Sequence, residues 1–383
     1  MQTRKLYYED SHLRSFSAKV LSCEETEKGF EVILDATAFY PEGGGQAADT
    51  GFLNGIRVRD TRERGETVVH FCEGPLEVGA AAEGVIDWEP RFHRMQQHSG
   101  EHIVSGIINR RYGYHNVGFH VGKSGMEIDF DGPIPSEDLP ELERAANEAV
   151  WKNLPVRCWY PEEAELPHVG YRTKKDLPWP VRIVDVPGYD KCACCGVHVA
   201  NTGEVGMIKI LSCVKLRDGV RLELVCGQRA YDYLNRIFDQ NRQISQLLSA
   251  KMPDTAVAAK RMADQLQAEK YRSAGLEKQL FRFIAESYVN CGDVLHFEPD
   301  LAPLSVRELA DAIAERCGGV AAVYSGTDEA GYALCLICKN ADVKELGSAM
   351  AKALNGRGGG KPGSWQGSVK ATRTQMEEFW RMK

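Results

Sequence analysis

Residues 96–106 read QQHSGEHIVSG, and the two histidines in this stretch, His98 and His102, stand four apart. On a helix, positions i and i+4 lie one above the other on a single face, so imidazoles at that spacing suit one metal ion. The flanking residues supply the helix. Phe92, Met95, His98, His102, Ile103, Ile107 and Ile108 recur at helical spacing, from Arg91 to the Arg111–Gly113 region. H-x-x-E-H is also an inverted zinc-peptidase signature in which the glutamate is a general base. Glu101 is therefore either such a base or a helical residue between two ligands that serve other chemistry.

Upstream of this helix, SFSAKVLSC, FEVILDATAFY, GFLNGIRVRDTRE, TVVHFC and GVIDW read as short strands separated by turn signals, which predicts a small β-barrel over 1–90. Downstream, a second helix over 136–153 is stopped by Pro155, and strands then alternate with loops as far as Cys226. Residues 91–227 thus read as an α+β domain with the histidine helix at its start. The Gln-, Ala-, Lys- and Leu-rich stretch 228–287 reads as a helical hairpin broken at Met252-Pro253-Asp254, a spacer or dimerisation arm. Residues 288–383 read as a compact α/β unit, giving an α+β multidomain chain in four parts.

The 383 residues carry 47 basic and 54 acidic side chains, an ordinary balance that names no partner. Basic residues cluster at the end, however: from Val343 to Lys383 eight Lys or Arg face three Glu, which admits a local nucleic-acid contact. No apolar run approaches a membrane span and the start is polar, so the expected location is the cytoplasm. Twelve cysteines without a secretion signal then point to metal binding or burial before disulfides. Cys335 and Cys338, in the apolar run GYALCLIC, read as buried.

Two further segments carry chemistry. KCACCGVHVANTGEVG, residues 191–206, offers Cys194 and His198, which with His98 and His102 make a tetrahedral N/S set for zinc. Cys192 or Cys195 could replace Cys194 or serve a separate ion. Four protein ligands would close the ion to chemistry, and three would leave a position for water or a substrate oxygen. DATAFYPEGGGQAADTG, residues 35–51, places three glycines among the polar side chains Thr37, Glu42, Gln46 and Asp49. By itself this is a glycine turn between strands, through which backbone can also approach a ligand closely.

FYPEGGGQAADTG, MQQHSGEH and CCGVHVANTGEVG, in that order, resemble the editing domain shared by alanyl- and threonyl-tRNA synthetases, and above all the free-standing alanyl-tRNA editing proteins of the AlaX group. NGRGGGKPGSWQGS, residues 355–368, is similar to the glycine loop of the synthetase's C-terminal tRNA-binding domain, which indicates the long form. The resemblance covers nearly the whole chain. It implies zinc held by His98, His102, Cys194 and His198, and a pocket for the aminoacyl end with Thr37, Glu42 and Gln46. It implies tRNA contacts from Arg357, Gly358, Gly359, Gly360, Lys361 and Trp365, with Trp365 stacking on a base or packed inside. The implied reaction is hydrolysis of the ester of tRNA(Ala) mischarged with serine, and secondarily glycine. Thr37 would read the serine hydroxyl, because a site built to hydrogen-bond that group rejects alanine strongly.

No aminoacylation domain is expected before the barrel, and no Asp-His-His triplet supports phosphoesterase chemistry. The chain departs from the family pattern at Cys195-Gly196-Val197, where Gly-Gly-Thr is usual, and at Ser364 and Trp365. Two other readings stand beside this one. A non-catalytic zinc-containing tRNA-binding protein needs no open ligand position. An H-x-x-E-H metallopeptidase needs a further glutamate ligand and leaves the glycine loop, the Cys194/His198 pair and the tail without a use. Position 101 is variable in the editing family, so Glu101 is expected to be non-catalytic.

Overall fold

The computed structural model describes residues 2–122, 125–173, 177 and 179–383. It is a mixed α+β chain of two units, Met1–Gln243 and Ile244–Lys383, with the division inside the helix Gln228–Leu247.

In the first unit, antiparallel strands close into a barrel in the order Ser15–Thr26, Gly29–Leu34, Thr67–Cys72, Ile56–Arg64, Gly51–Leu53 and Ala81–Ile86. The stretch GFLNGIRVRDTRE, which reads as one strand, is two. Asn54-Gly55, both at positive φ (48° and 80°), turns the chain between them, the hairpin chemistry favoured for such a pair. Val32, Leu34, Leu53, Val58 and Ile86 fill the barrel. His70 points in with them. It is fully buried between Thr37, whose Oγ1 is 2.8 Å from His70 Nε2, and the Val32 carbonyl, 3.1 Å from Nδ1.

Burial lowers the His70 pKa from 6.5 to about 4 against the raising effect of the Val32 carbonyl. The unfolded chain takes this proton near pH 6.5, whereas the folded chain refuses it until about pH 4. The stability His70 contributes is thus complete above pH 6.5 and is lost as pH falls toward 4, at up to about 1.4 kcal/mol per unit. Denaturant titrations at pH 7 and 4.5 should show wild type losing roughly 2–3 kcal/mol more than His70→Gln over that interval.

The histidine helix spans Trp88–Tyr112. It starts ahead of Arg91 because Pro90 is tolerated in a first turn, where its missing N–H has no helical acceptor. Residues 95–106 are all buried, a helix wrapped on every side rather than amphipathic. Met95, Ile103, Val104 and Ile108 share a core with Ile128, Leu222 and Leu224 of a sheet ordered Ile208–Leu216, Gly219–Cys226, Met126–Phe130, Asn116–Val121. The helix Leu139–Trp151 joins the same core through Leu142, Ala146 and Val150. A three-stranded sheet, Arg157–Trp159, Ile183–Val186 and Asp190–Ala193, delivers the Cys194–His198 segment from its last strand.

The second unit begins at Ile244 and carries the Thr255–Glu286 helix, which follows a short turn at Met252–Asp254. Its sheet is ordered Gly292–Glu298, Gly318–Thr327, Gly331–Ile337, Ser364–Val369, Arg357–Lys361. The helix Pro303–Cys317 and the end of Thr255–Glu286 cover one face, while Lys344–Ala353 and Arg373–Arg381 cover the other. Cys335 and Cys338 are buried in this core.

Candidate active site

Four side chains from two separate segments meet at one point. His98 and His102 come from adjacent turns of the helix, and Cys194 and His198 from the segment after Asp190–Ala193. One ligand atom from each lies within 4.8 Å of the others. Cys194 Sγ is 3.4 Å from His98 Nε2. The approach is close enough that a Cβ on Gly196 would stand 2.2 Å from His98 Cε1.

Each imidazole is held from behind by a different group. His98 Nδ1 faces Gln46 Oε1 at 3.0 Å, His102 Nδ1 faces Asp190 Oδ2 at 2.9 Å, and His198 Nδ1 faces Ser99 Oγ at 3.2 Å. With the three Nδ1 atoms donating outward, the three Nε2 lone pairs converge beside Cys194, the arrangement by which outer partners orient metal-ligating histidines. His198 Nε2 is buried without a hydrogen-bond partner, as suits a nitrogen that serves a metal. Burial opposes charge on the Cys194 thiol, but the surrounding imidazoles, His98 first and then His102 and His198, outweigh it and hold Cys194 well below the usual thiol range. Burial, reinforced by His98, lowers His198 to about 3 and keeps it neutral. A thiolate with imidazole nitrogens is the donor set of a borderline-soft ion such as Zn2+.

Cys192 and Cys195 stand differently. Cys192 forms a second group with His102 and Asp190, but Arg172 already binds both Asp190 oxygens, at 2.7 and 2.9 Å, and the thiol is pushed up to about 11 by burial. Asp190 therefore acts as the partner that orients His102. Cys195 is exposed, and its carbonyl accepts from Tyr8 Oη at 2.7 Å. Arg182 donates to the Cys194 and Gly196 carbonyls at 3.0 and 2.8 Å, fixing the turn that carries the thiolate.

Three of the four, His98, His102 and Cys194, open onto a cavity of about 760 Å³ whose wall also includes Gly44, Gly45, Tyr8, Tyr160 and Glu101. The glycine loop reaches it because Gly45, at φ +81°, passes where a Cβ would be 2.6 Å from the Phe119 ring. Of the polar residues in that loop, Gln46 alone touches the ligand set. Glu42 is half-exposed and ion-paired with Arg62. Thr37 is fully buried, its hydroxyl shared between His70 and the Phe39 N–H, and it is absent from the cavity wall. Its place in this conformation is the barrel interior. Asp190, Ser99, Arg172, Arg182 and His70 were not singled out from the sequence. His70 alone left a signal there: it alternates with Val68 and Cys72 in a strand whose inward positions are apolar.

Removing the Gln46 amide would leave His98 Nδ1 without its acceptor in a buried site. Gln46→Ala should therefore weaken zinc binding about 10–100-fold in chelator competition, while Gln46→Glu, which keeps an acceptor, should retain most of it.

In the second unit Arg357, Gly358, Gly359, Gly360 and Lys361 form an exposed edge strand. Trp365 is not exposed beside them. At 1% accessibility it packs under the hairpin, its ring 2.5 Å from where a Cβ on Gly358 would lie. Burial of this large ring supports the glycine strand from beneath and removes it as a base-stacking surface.

Residues 181–222 match the threonyl and alanyl tRNA synthetase second additional domain, and residues 3–90 match the class II (A) tRNA synthetase family. The chain is 30% identical to the alanyl-tRNA editing protein Aarsd1 of Mus musculus, over 95% of this chain and 93% of that one. It is 30% identical to Aarsd1-B of Xenopus laevis, over 92% and 88%. It is also 32% identical to the alanine–tRNA ligase of Thermofilum pendens, over 97% of this chain but 43% of the ligase. Fold and site thus place it with the synthetase-related editing domains. The chain belongs to the alanyl-tRNA editing protein family.

Proposed function

We propose that this protein is an aminoacyl-tRNA deacylase that hydrolyses the ester of mischarged tRNA(Ala), chiefly seryl and secondarily glycyl, in trans and in the cytoplasm. The observation that carries the proposal is the convergence of three outwardly tethered imidazoles and a stabilised thiolate, of which His98, His102 and Cys194 lie on the wall of a cavity of about 760 Å³, within the size range of small-molecule sites. No helix among the described residues is long and apolar enough to cross a membrane.

His98, His102, Cys194 and His198 would hold Zn2+; with three of them bound at a time, the open position would let the ion polarise an ester carbonyl or a water. Water adds to the ester carbonyl, the bond to the ribose oxygen breaks, and that oxygen leaves with a proton as the free amino acid departs. The protein's share lies in positioning. Gln46, Asp190 and Ser99 fix the imidazoles, Arg182 and Tyr8 fix the Cys194–Gly196 turn, and Phe119 stacks on His98 at 5.1 Å. The glycine edge strand, with Arg357 and Lys361 at its ends, suits a backbone approach to tRNA phosphates. Exposed Val257, Met262, Leu266, Leu276 and Leu280 on Thr255–Glu286 fit self-association through the helical region.

Purified protein should release serine from Ser-tRNA(Ala) faster than buffer and leave Ala-tRNA(Ala) largely intact. Decay at the buffer rate would refute the proposal and leave the non-catalytic, tRNA-binding reading.

A further inference from the structure

One edge of the Arg182 guanidinium is unused. The residue is 8% exposed, yet it lines the cavity of about 760 Å³ together with His98, His102 and Cys194. Nη1 is engaged by backbone, donating to the carbonyls of Cys194 at 3.0 Å and Gly196 at 2.8 Å. The guanidinium lies over the Tyr8 ring, 4.5 Å from its centroid, and that ring is fixed in turn by the Tyr8 Oη bond to the Cys195 carbonyl. Nε and Nη2 have no partner among the described residues. Unlike the unpartnered Nε and Nη2 of Arg91, which are sealed in protein, they keep contact with open space.

The other basic side chains of the wall are neutralised. Lys5 is paired with Glu63 at 2.5 Å, and Arg172 grips Asp190 through Nε and Nη2 at 2.7 and 2.9 Å. Among the described wall residues Arg182 is the one Arg or Lys that no carboxylate pairs. A buried charge without a counter-charge is costly to hold. The Nε–Nη2 edge is also a fork that binds phosphate or carboxylate through two parallel hydrogen bonds, as Arg172 shows on Asp190. Arg182 therefore presents an anion site to the cavity.

An aminoacyl-tRNA brings two anions near this wall. The carboxylate of the released amino acid forms where the ester carbonyl was, at the ligand group itself. The phosphodiester on the 5′ side of the terminal nucleotide stands one ribose away from the ester. Arg182 hydrogen-bonds to the backbone of the Cys194–Gly196 turn and to none of the four ligand side chains. That sets it back from the reacting carbonyl while keeping it within a ribose's reach, the offset of the phosphate.

We infer that the Nε–Nη2 edge of Arg182 binds the phosphodiester joining the terminal nucleotide to the rest of the tRNA, and so draws the ester onto the ligand group. The inference rests on the deacylase reading above. A phosphate contact positions a nucleic acid without reading its sequence, so Arg182 is a substrate-binding residue that serves every ester the site accepts.

The test compares native Ser-tRNA(Ala) with the same seryl RNA carrying an uncharged methylphosphonate at that single linkage. Wild type should favour the native linkage in kcat/KM by about 10–100-fold beyond the ratio of the two rates in buffer, the range of a charge-assisted hydrogen bond. Arg182→Gln should bring the two to within about threefold of the buffer ratio, through a raised KM for the native RNA. Affinity for the two uncharged RNAs should show the same preference and the same loss of it, independently of bond cleavage. Because Arg182 also holds the Cys194–Gly196 turn, Arg182→Lys is the second variant. It keeps the charge without the fork and should retain a preference of about 3–10-fold. Damage to the turn alone would slow both RNAs equally, lower zinc per chain and leave their ratio as in wild type. An unchanged ratio in Arg182→Gln, or no preference in wild type, overturns the assignment and leaves the deacylase standing. An unchanged ratio with weaker inhibition by free serine overturns it in favour of the product carboxylate. If wild type hydrolyses native Ser-tRNA(Ala) no faster than buffer, the deacylase reading itself fails.

Discussion

His98→Ala is expected to strip most of the zinc from the purified protein and to slow deacylation of Ser-tRNA(Ala) by more than about 100-fold, exceeding what loss of an outer partner such as Gln46 costs. His98 touches several other parts of the site. Its Nε2 is 3.4 Å from Cys194 Sγ, its Nδ1 is held by Gln46, and its ring stands 4.5 Å from that of His198 and 5.1 Å from that of Phe119. His98 is also the first favourable influence holding the Cys194 thiol low, after burial, which opposes it. Truncation therefore removes one ligand and weakens a second. Zinc per chain and the deacylation rate should fall together. Full activity with zinc lost would separate the metal from catalysis.

The ligand set was legible because its chemistry is written in local spacing: His98 and His102 by one helical turn, Cys194 and His198 by a tight segment. Its outer partners were not. Gln46, Asp190 and Ser99 come from a loop, a strand and the helix itself, and only the fold brings them to the three Nδ1 atoms. The Gln46 motif was visible in the chain, but its contact with His98 Nδ1 was not. Thr37 shows the converse. Its motif placed it near the loop, yet the inward-facing His70 takes its hydroxyl, a pairing that depends on barrel closure. Trp365 follows the same logic, since three nearby glycines leave room beneath the hairpin that a ring fills. Glu101 is a further case. The sequence placed it on the histidine helix, whereas its contact with Asn116 and its place on the cavity wall come from the fold.

Asp49→Ala should destabilise the first unit by about 3–5 kcal/mol, the cost of leaving a buried charge unpaired. Asp49 and Arg91 are both fully buried and ion-paired, and Arg94 Nη1 stands 3.6 Å from the other carboxylate oxygen. Burial pushes the Asp49 carboxyl up, against the pull of Arg91 and of the Tyr40 N–H. The pair therefore adds little net stability over an apolar equivalent, although losing one partner is costly. Its value is geometric. Tyr40 N–H donates to Asp49 Oδ2 at 2.8 Å, and Asp49 N–H donates to the Tyr40 carbonyl at 2.8 Å, closing the loop that carries Gly43–Gln46. Arg91, on the histidine helix, binds this closure and the Ala38 carbonyl at 3.2 Å, so the ion pair ties the glycine loop to the helix that carries His98. Calorimetry of Asp49→Ala should show the stability loss, and Asp49→Leu with Arg91→Met should recover much of it. If the loop is placed by this pair, the double variant should still bind zinc more weakly than wild type. Zinc affinity fully restored along with stability would show that the glycine loop finds His98 without it.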